Sequence, residues 1–210
     1  MKRLAHRFLS RDGQARILEA VRAAEARTSA EIVPMVVGAS DSYPKAELAC
    51  AMAVGLLGAV FLCLLAGTRD MWLFLAFFGL FSLAGFQAAS RLPALKRPFV
   101  SPGRARHETL QAAQAAFHVH GLADTRERNA LLVYVSVFEG LVFLLPDTGL
   151  AAGVDARKLD AVAASLSEDI RRADPDKALA QAVSRLGDLL APAFPPREGD
   201  ANQVKDLILF

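Results

Sequence analysis

Two blocks of the chain contain no charged residue: Leu48 to Gly67 and Met71 to Ser90. Elsewhere, apolar positions recur at helical spacings of three and four or gather in short β-branched runs. Each block is about 20 residues long, enough at 1.5 Å per residue to span the roughly 30 Å hydrocarbon layer of a bilayer. Only Thr68, Arg69 and Asp70 lie between them, so two spanning helices here must run antiparallel. The pattern predicts a transmembrane hairpin over residues 47–91, with helices at about 48–67 and 71–90. A chain of 210 residues has too little other surface to bury two helices that are apolar all round. Glycines at 55, 58, 79 and 85 would let the helices approach closely, though they form no GxxxG motif.

On either side the pattern changes. Ser10 is the predicted N-cap, and Ile17, Leu18, Val21 and Ala24 recur at helical spacing behind it. Glu31 to Val37 then reads as a strand closed by Gly38, with Pro34 favouring an edge position because it cannot donate to a ladder. A polar loop, Ser40 to Pro44, leads into the hairpin. Beyond it, Pro93, Pro98, Pro102 and Gly103 punctuate a basic linker over 92–103. A helix is predicted from Arg104 to His120, stopped by Gly121. Ala130–Val137 and Leu141–Leu145 form a β-hairpin around Phe138-Glu139-Gly140, ended by Pro146-Asp147-Thr148-Gly149. Two more helices follow, one from near Asp155 and one from the N-cap and proline of Asp174-Pro175. The tail, 192–210, is proline-rich until Leu207-Ile208-Leu209-Phe210.

One helix and one strand cannot bury a core, nor can an isolated β-hairpin. Residues 1–46 and 104–191 are therefore expected to join as one α/β domain, a small mixed sheet sandwiched by helices and interrupted by the two-helix transmembrane hairpin.

Composition sharpens this picture. Apolar residues make up 53% and charged residues 22%, which excludes a disordered chain or a disulfide scaffold. The net charge of +2 gives no reason to expect nucleic acid. Basic residues gather before the hairpin (Lys2 to Lys45) and after it (Arg91, Lys96, Arg97, Arg104, Arg106), while the turn has Arg69 offset by Asp70. Both termini are thus expected on the cytoplasmic side of a cell inner membrane, with the turn outside. Met1 to Gln14 carries positive charge with no apolar run behind it, so no signal peptide is expected. Cys50 and Cys63 both fall in the first apolar block, where cysteine acts as a small apolar filler.

Three stretches carry a family resemblance. Ala24-Glu25-Ala26-Arg27-Thr28-Ser29-Ala30-Glu31-Ile32-Val33 resembles the "AE-x-x-T-s-G-E-I-v" opening of the TPM domain. Gly121-Leu122 followed by Thr125 to Ser136 resembles that family's "G-L-x-x-T-r-x-R-[TN]-G-V-L" segment, and Val142 to Leu150 resembles its "V-e-v-l-a-D-x-G-i". Ser40-Asp41-Ser42-Tyr43 is similar to an "S-d-d-Y" preceding membrane helices in a bacterial branch. The family includes thylakoid-lumen proteins linked to photosystem II repair and many bacterial membrane proteins. Ala30 and Ala130 stand where the family has glycine, and the strand after Gly140 lacks charges that relatives often place there.

The resemblance implies two functions. One is a non-enzymatic accessory module that binds another membrane protein at the bilayer surface. The alternative is a weak, metal-dependent phosphatase, since some members hold divalent metal through carboxylates. The residues that would serve are Glu31, Asp41 and Asp147, with Glu139 a weaker candidate; such a set suits Ca²⁺ or Mg²⁺. Asp41 and Asp147 each follow a strand, which would allow them to converge at one sheet edge. Each also has an ordinary role: Asp41 and Asp147 begin turns, Glu139 occupies a hairpin tip and Glu31 starts a strand. Arg126 and Arg128, beside Asn129, would hold an anion or lipid head group, or else be solvated loop charge near an anionic leaflet. His118 and His120, two apart on a helix, do not share a face and make a poor metal pair. No phosphate loop, G-x-S-x-G, C-x-x-C or H-E-x-x-H motif is present.

Overall fold

The computed structural model describes residues 5, 8–125, 127–172, 174–196 and 207–209. They divide into two compact units, Met1–Asp41 with Arg106–Phe210, and Ser42–Ala105.

The first unit is a mixed α/β sandwich. Its elements are α1 (Arg11–Glu25), β1 (Glu31–Val37), most of α5 (Pro102–Val119), β2 (Ala130–Ser136), β3 (Leu141–Pro146), α6 (Thr148–Gly153), α7 (Ala156–Arg172), α8 (Pro175–Leu190) and β4 (Ile208–Leu209). The sheet order is β3-β2-β1-β4; β1 runs parallel to β2 and β4, and β3 is antiparallel to β2. Side chains of a strand alternate between faces, and the core divides accordingly. Ile32, Val36, Leu131, Val133, Val135 and Val142 pack with α1, α7 and α8 on one face. Val33, Met35, Leu132, Tyr134 and Phe143 pack with Ala113 and Phe117 of α5 on the other.

The predicted start of α1 is observed: the Ser10 hydroxyl accepts from Gly13 N–H at 2.9 Å, and Gly13, Ile17, Val21 and Ala24 form its buried stripe. Gly121, at φ +67°, ends the turn after α5 as expected.

Pro34 lies in an interior strand rather than at an edge. The parallel ladder explains how it is tolerated. Glu31 N–H donates to Asn129 C=O and Val37 C=O accepts from Val137 N–H, so the odd positions of β1 bond β2. The even positions face the other way; Ile32 N–H reaches the Glu25 carboxylate at 3.2 Å. Pro34 therefore lacks its N–H on the side where β4 pairs only Met35 and Val36. That strand comes from the apolar end of the tail. The other unforeseen element is α6: the Pro-Asp-Thr-Gly stretch reads as a turn, but Asp147 caps a short helix by accepting from Thr148 N–H at 2.7 Å.

The second unit contains α2 (Pro44–Leu65), α3 (Met71–Arg91), the short α4 (Pro93–Lys96) and a 3₁₀ turn at Arg97–Phe99. Both long helices are long and apolar enough to cross a membrane. Small residues set their contact: a Cβ on Gly55 would lie 2.0 Å from Ser82 Oγ, and one on Gly85 would lie 2.9 Å from Val54 Cβ. Gly79 faces open space instead. The segment expected to be a basic linker is mostly helical turn. Within it, Lys96 is only 1% exposed, its ammonium donating to Glu47 Oε1 at 2.7 Å and to the Ser42 carbonyl at 2.6 Å. This clasp joins the segment that enters α2 to the one that leaves α3.

Candidate functional site

Two groups of polar side chains occupy opposite ends of the sheet. At the end where β1 and β2 begin, Glu31 pairs in register with Ala130, and the Ala130 carbonyl accepts from Asp147 N–H at 2.8 Å. Glu31 and Asp147 are therefore brought to one place, both buried, at 7% and 4% exposure. Asn129, also buried, donates its side-chain amide to the Ser29 carbonyl. Arg128 N–H donates to Thr125 C=O, and Arg128 C=O accepts from Leu150 N–H at 3.1 Å. A Cβ on Gly149 would sit 2.6 Å from the Glu127 carbonyl oxygen, so this loop and the start of α6 lie in backbone contact. Asp147 spends Oδ1 on the cap; its Oδ2 and the Thr125 hydroxyl are buried with no hydrogen-bond partner among the described residues. A buried polar atom left without a partner is uncommon and costs roughly 1–3 kcal/mol.

Arg128 takes up φ +53°, unusual for a residue with a side chain, and is exposed. Arg126, its expected companion in an anion site, lies outside the described residues.

Asp41 is elsewhere. It follows the far end of β1, and roughly 20 Å of strand separates that end from Glu31. The expected convergence of Asp41 with Asp147 does not occur, because β3 runs antiparallel to β1's neighbour β2. The residue after β3 comes back to the end where β1 starts. Among the described residues, no group of three His, Cys, Asp or Glu side chains is placed to hold a metal ion.

The far end has its own cluster, which the sequence reading missed. Glu139, at the β2–β3 turn, accepts from Ser40 N–H at 2.9 Å through Oε1 and from the Ser136 hydroxyl through Oε2. The Ser40 hydroxyl donates to Ser136 Oγ at 3.0 Å and lies 3.5 Å from the Tyr134 hydroxyl. Backbone bonds reinforce the join, from Val137 N–H to Val37 C=O and from Phe138 N–H to Gly38 C=O. Burial pushes the Tyr134 phenol above its ordinary value of 10.0, and the negative charge of Glu139 adds to this, partly opposed by the Ser40 hydrogen bond. The carboxylate thus ties the loop leaving β1 to the β-hairpin tip. A serine at the end of β2 and another three residues beyond the end of β1 were the available signal.

These elements define the class of fold: an α/β sandwich on a four-stranded mixed sheet, with two helices apolar enough to span a membrane placed between β1 and α5. The chain is similar to the NMR structure of the BA42 protein from the psychrophilic bacteria Bizionia argentinensis, with a TM-score of 0.59 over 96% of this chain and 94% of that chain. The two share 16% sequence identity, so the likeness is one of fold alone. No family model matches the sequence, and no curated protein matches it.

Proposed function

We propose that this is a TPM-like integral membrane protein, held in a bacterial inner membrane by α2 and α3 with both termini cytoplasmic, whose α/β unit binds another membrane protein. The observation that carries partner binding is the outer edge of β3. Asp147 N–H bonds Ala130, so Leu145, Phe143 and Leu141 direct their backbone groups to β2. Val142 and Leu144 direct theirs outward, and no strand pairs with that side among the described residues. Leu141–Pro146 contains no charged residue. Open edges are normally blunted by charge, proline or a covering element, and within Leu141–Pro146 the blunting residue is Pro146, at the strand's end. An extended segment of a partner can add to such an edge by main-chain hydrogen bonds. The basic residues flanking the helices support the orientation.

Val142→Pro tests this reading. It removes one outward N–H and leaves the bonds of β3 to β2 intact, at the cost of part of the packing of the Val142 side chain. Extracted gently from native membranes at a temperature where both proteins are folded, the wild type is expected in a larger assembly than the variant. Assemblies of equal size would refute partner binding through β3.

A second reading, a metal-dependent phosphatase-like hydrolase, is favoured by Asp147 Oδ2. A buried carboxylate oxygen without a partner among the described residues, across Ala130 from the buried Glu31, fits a hard cation such as Ca²⁺ or Mg²⁺. When bound, such an ion would supply an activated water. Glu31 and Asp147 would hold it, without Asp41. Titrating Ca²⁺ or Mg²⁺ should then raise the melting temperature of the wild type and not of Asp147→Asn. Flat curves for both proteins would sink this reading.

A further inference from the structure

After Asp70 the chain carries no acidic residue until Glu108, while Arg91, Lys96, Arg97, Arg104 and Arg106 all fall in that interval. The segment that follows α3 sorts these charges. Lys96 turns inward and is neutralised by Glu47. Arg91 and Arg97 are exposed and form no ion pair among the described residues. Beside them the same stretch leaves three large apolar side chains outside: Leu92, Leu95 and Phe99, at 57%, 44% and 42% exposure. Leaving α3 at Arg91, the chain makes two short turns, Pro93–Lys96 and Arg97–Phe99, instead of continuing as a straight helix.

We propose that Leu92–Phe99 lies in the membrane interface and docks on anionic phospholipid, with Leu92, Leu95 and Phe99 among the acyl chains and Arg91 and Arg97 against the head groups. This rests on the reading of α2 and α3 as membrane-spanning. Three observations select a lipid surface as the occupant. The segment is continuous with the end of a helix apolar enough to span the bilayer. Its surface charge is of one sign, complementary to an anionic leaflet. Its exposed side chains alternate between apolar and cationic over a few residues, the composition of interfacial anchors. The Lys96–Glu47 clasp has a part in this, because it fixes the turns to the base of α2 so that the apolar side chains face outward.

The test uses the full chain with Cys50→Ala and Cys63→Ala, carrying a single fluorophore at Ala94→Cys, Leu80→Cys or Arg157→Cys, in nanodiscs of phosphatidylcholine with or without phosphatidylglycerol. The label at 80 should be quenched by mid-chain spin-labelled lipid and the label at 157 only by aqueous iodide. The label at 94 should be quenched by lipid labelled near the head group, more strongly with phosphatidylglycerol. Leu95→Ser/Phe99→Ser should return it to iodide. Each of Arg91→Gln and Arg97→Gln should weaken the phosphatidylglycerol preference about five-fold. If the label at 80 is lipid-embedded but that at 94 is as open to iodide as 157, the interfacial segment is refuted while the spanning helices stand. If the label at 80 is itself open to iodide, both readings fall. Equal quenching at 94 in the two lipid mixtures would overturn the anionic-lipid assignment.

Discussion

Leucine meets opposite surroundings in the two units. Leu131, in β2, is fully buried between the sheet and its helices, whereas Leu64, in α2, is 75% exposed. The contrast is general. Among the described residues, exposed large apolar side chains run from Leu48 to Phe99, and beyond that range only Val119 joins them. At about 25 cal/mol per Å² of apolar surface, a helix pair exposing this much to water would be strongly disfavoured, and in hydrocarbon that penalty disappears. Polar groups divide in the same way. In the α/β unit, Glu139 is closed by hydrogen bonds from Ser40 and Ser136. The hairpin unit holds a buried ion pair, Lys96 with Glu47, near the ends of its helices. One unit is thus organised around a dry interior of its own, and the other leaves much of its apolar surface outside, on two helices apolar enough to cross a membrane.

Substitutions of one chemical type should therefore give unlike results. Leu131→Ala removes a fully buried side chain and should cost about 2–5 kcal/mol in denaturant unfolding of the detergent-solubilised protein. Leu64→Ala should stay within about 0.5 kcal/mol, as expected for a largely exposed side chain. Equal costs would break the comparison. Lys96→Met comes next: it leaves Glu47 without its cation and should cost about 3 kcal/mol, most of it recovered by adding Glu47→Leu, as thermal melting would register. A double variant no better than the single would show that the clasp is held by something other than charge.

The smallest effect concerns Tyr134. Its raised pKa means that the folded state keeps a proton that the unfolded state gives up above about pH 10. Stability is thus unaffected below that pH and falls above it, by at most about 1.4 kcal/mol per pH unit. Tyr134→Phe, which has no proton to lose, should show a shallower alkaline decline. An unchanged slope would remove Tyr134 from the account of the Glu139 cluster.

Much of this was legible in the sequence because it depends on local spacing. The charge-free blocks, the buried stripe of α1, the β2–β3 hairpin and the caps at Ser10 and Asp174 each declare themselves within a few residues. What escaped depends on long-range direction. A carboxylate after β1 and one after β3 look equivalent along the chain, yet antiparallel pairing sends them to opposite ends of the sheet. Glu139 finds Ser40 across 99 positions, and Lys96 finds Glu47 across 49. The β4 strand is only two residues long, too short for any periodicity to show. At Asp147, turn and cap use the same residue types, and only the following hydrogen bonds tell them apart.

The most direct measurement is the sidedness of single cysteines in intact cells, after Cys50→Ala and Cys63→Ala. Thr68→Cys, in the turn between α2 and α3, should react with a membrane-impermeant maleimide added outside. Arg157→Cys, in α7, should react only after the cells are permeabilised. Reaction of both from the same side would contradict a hairpin that crosses the membrane and carries the α/β unit in the cytoplasm.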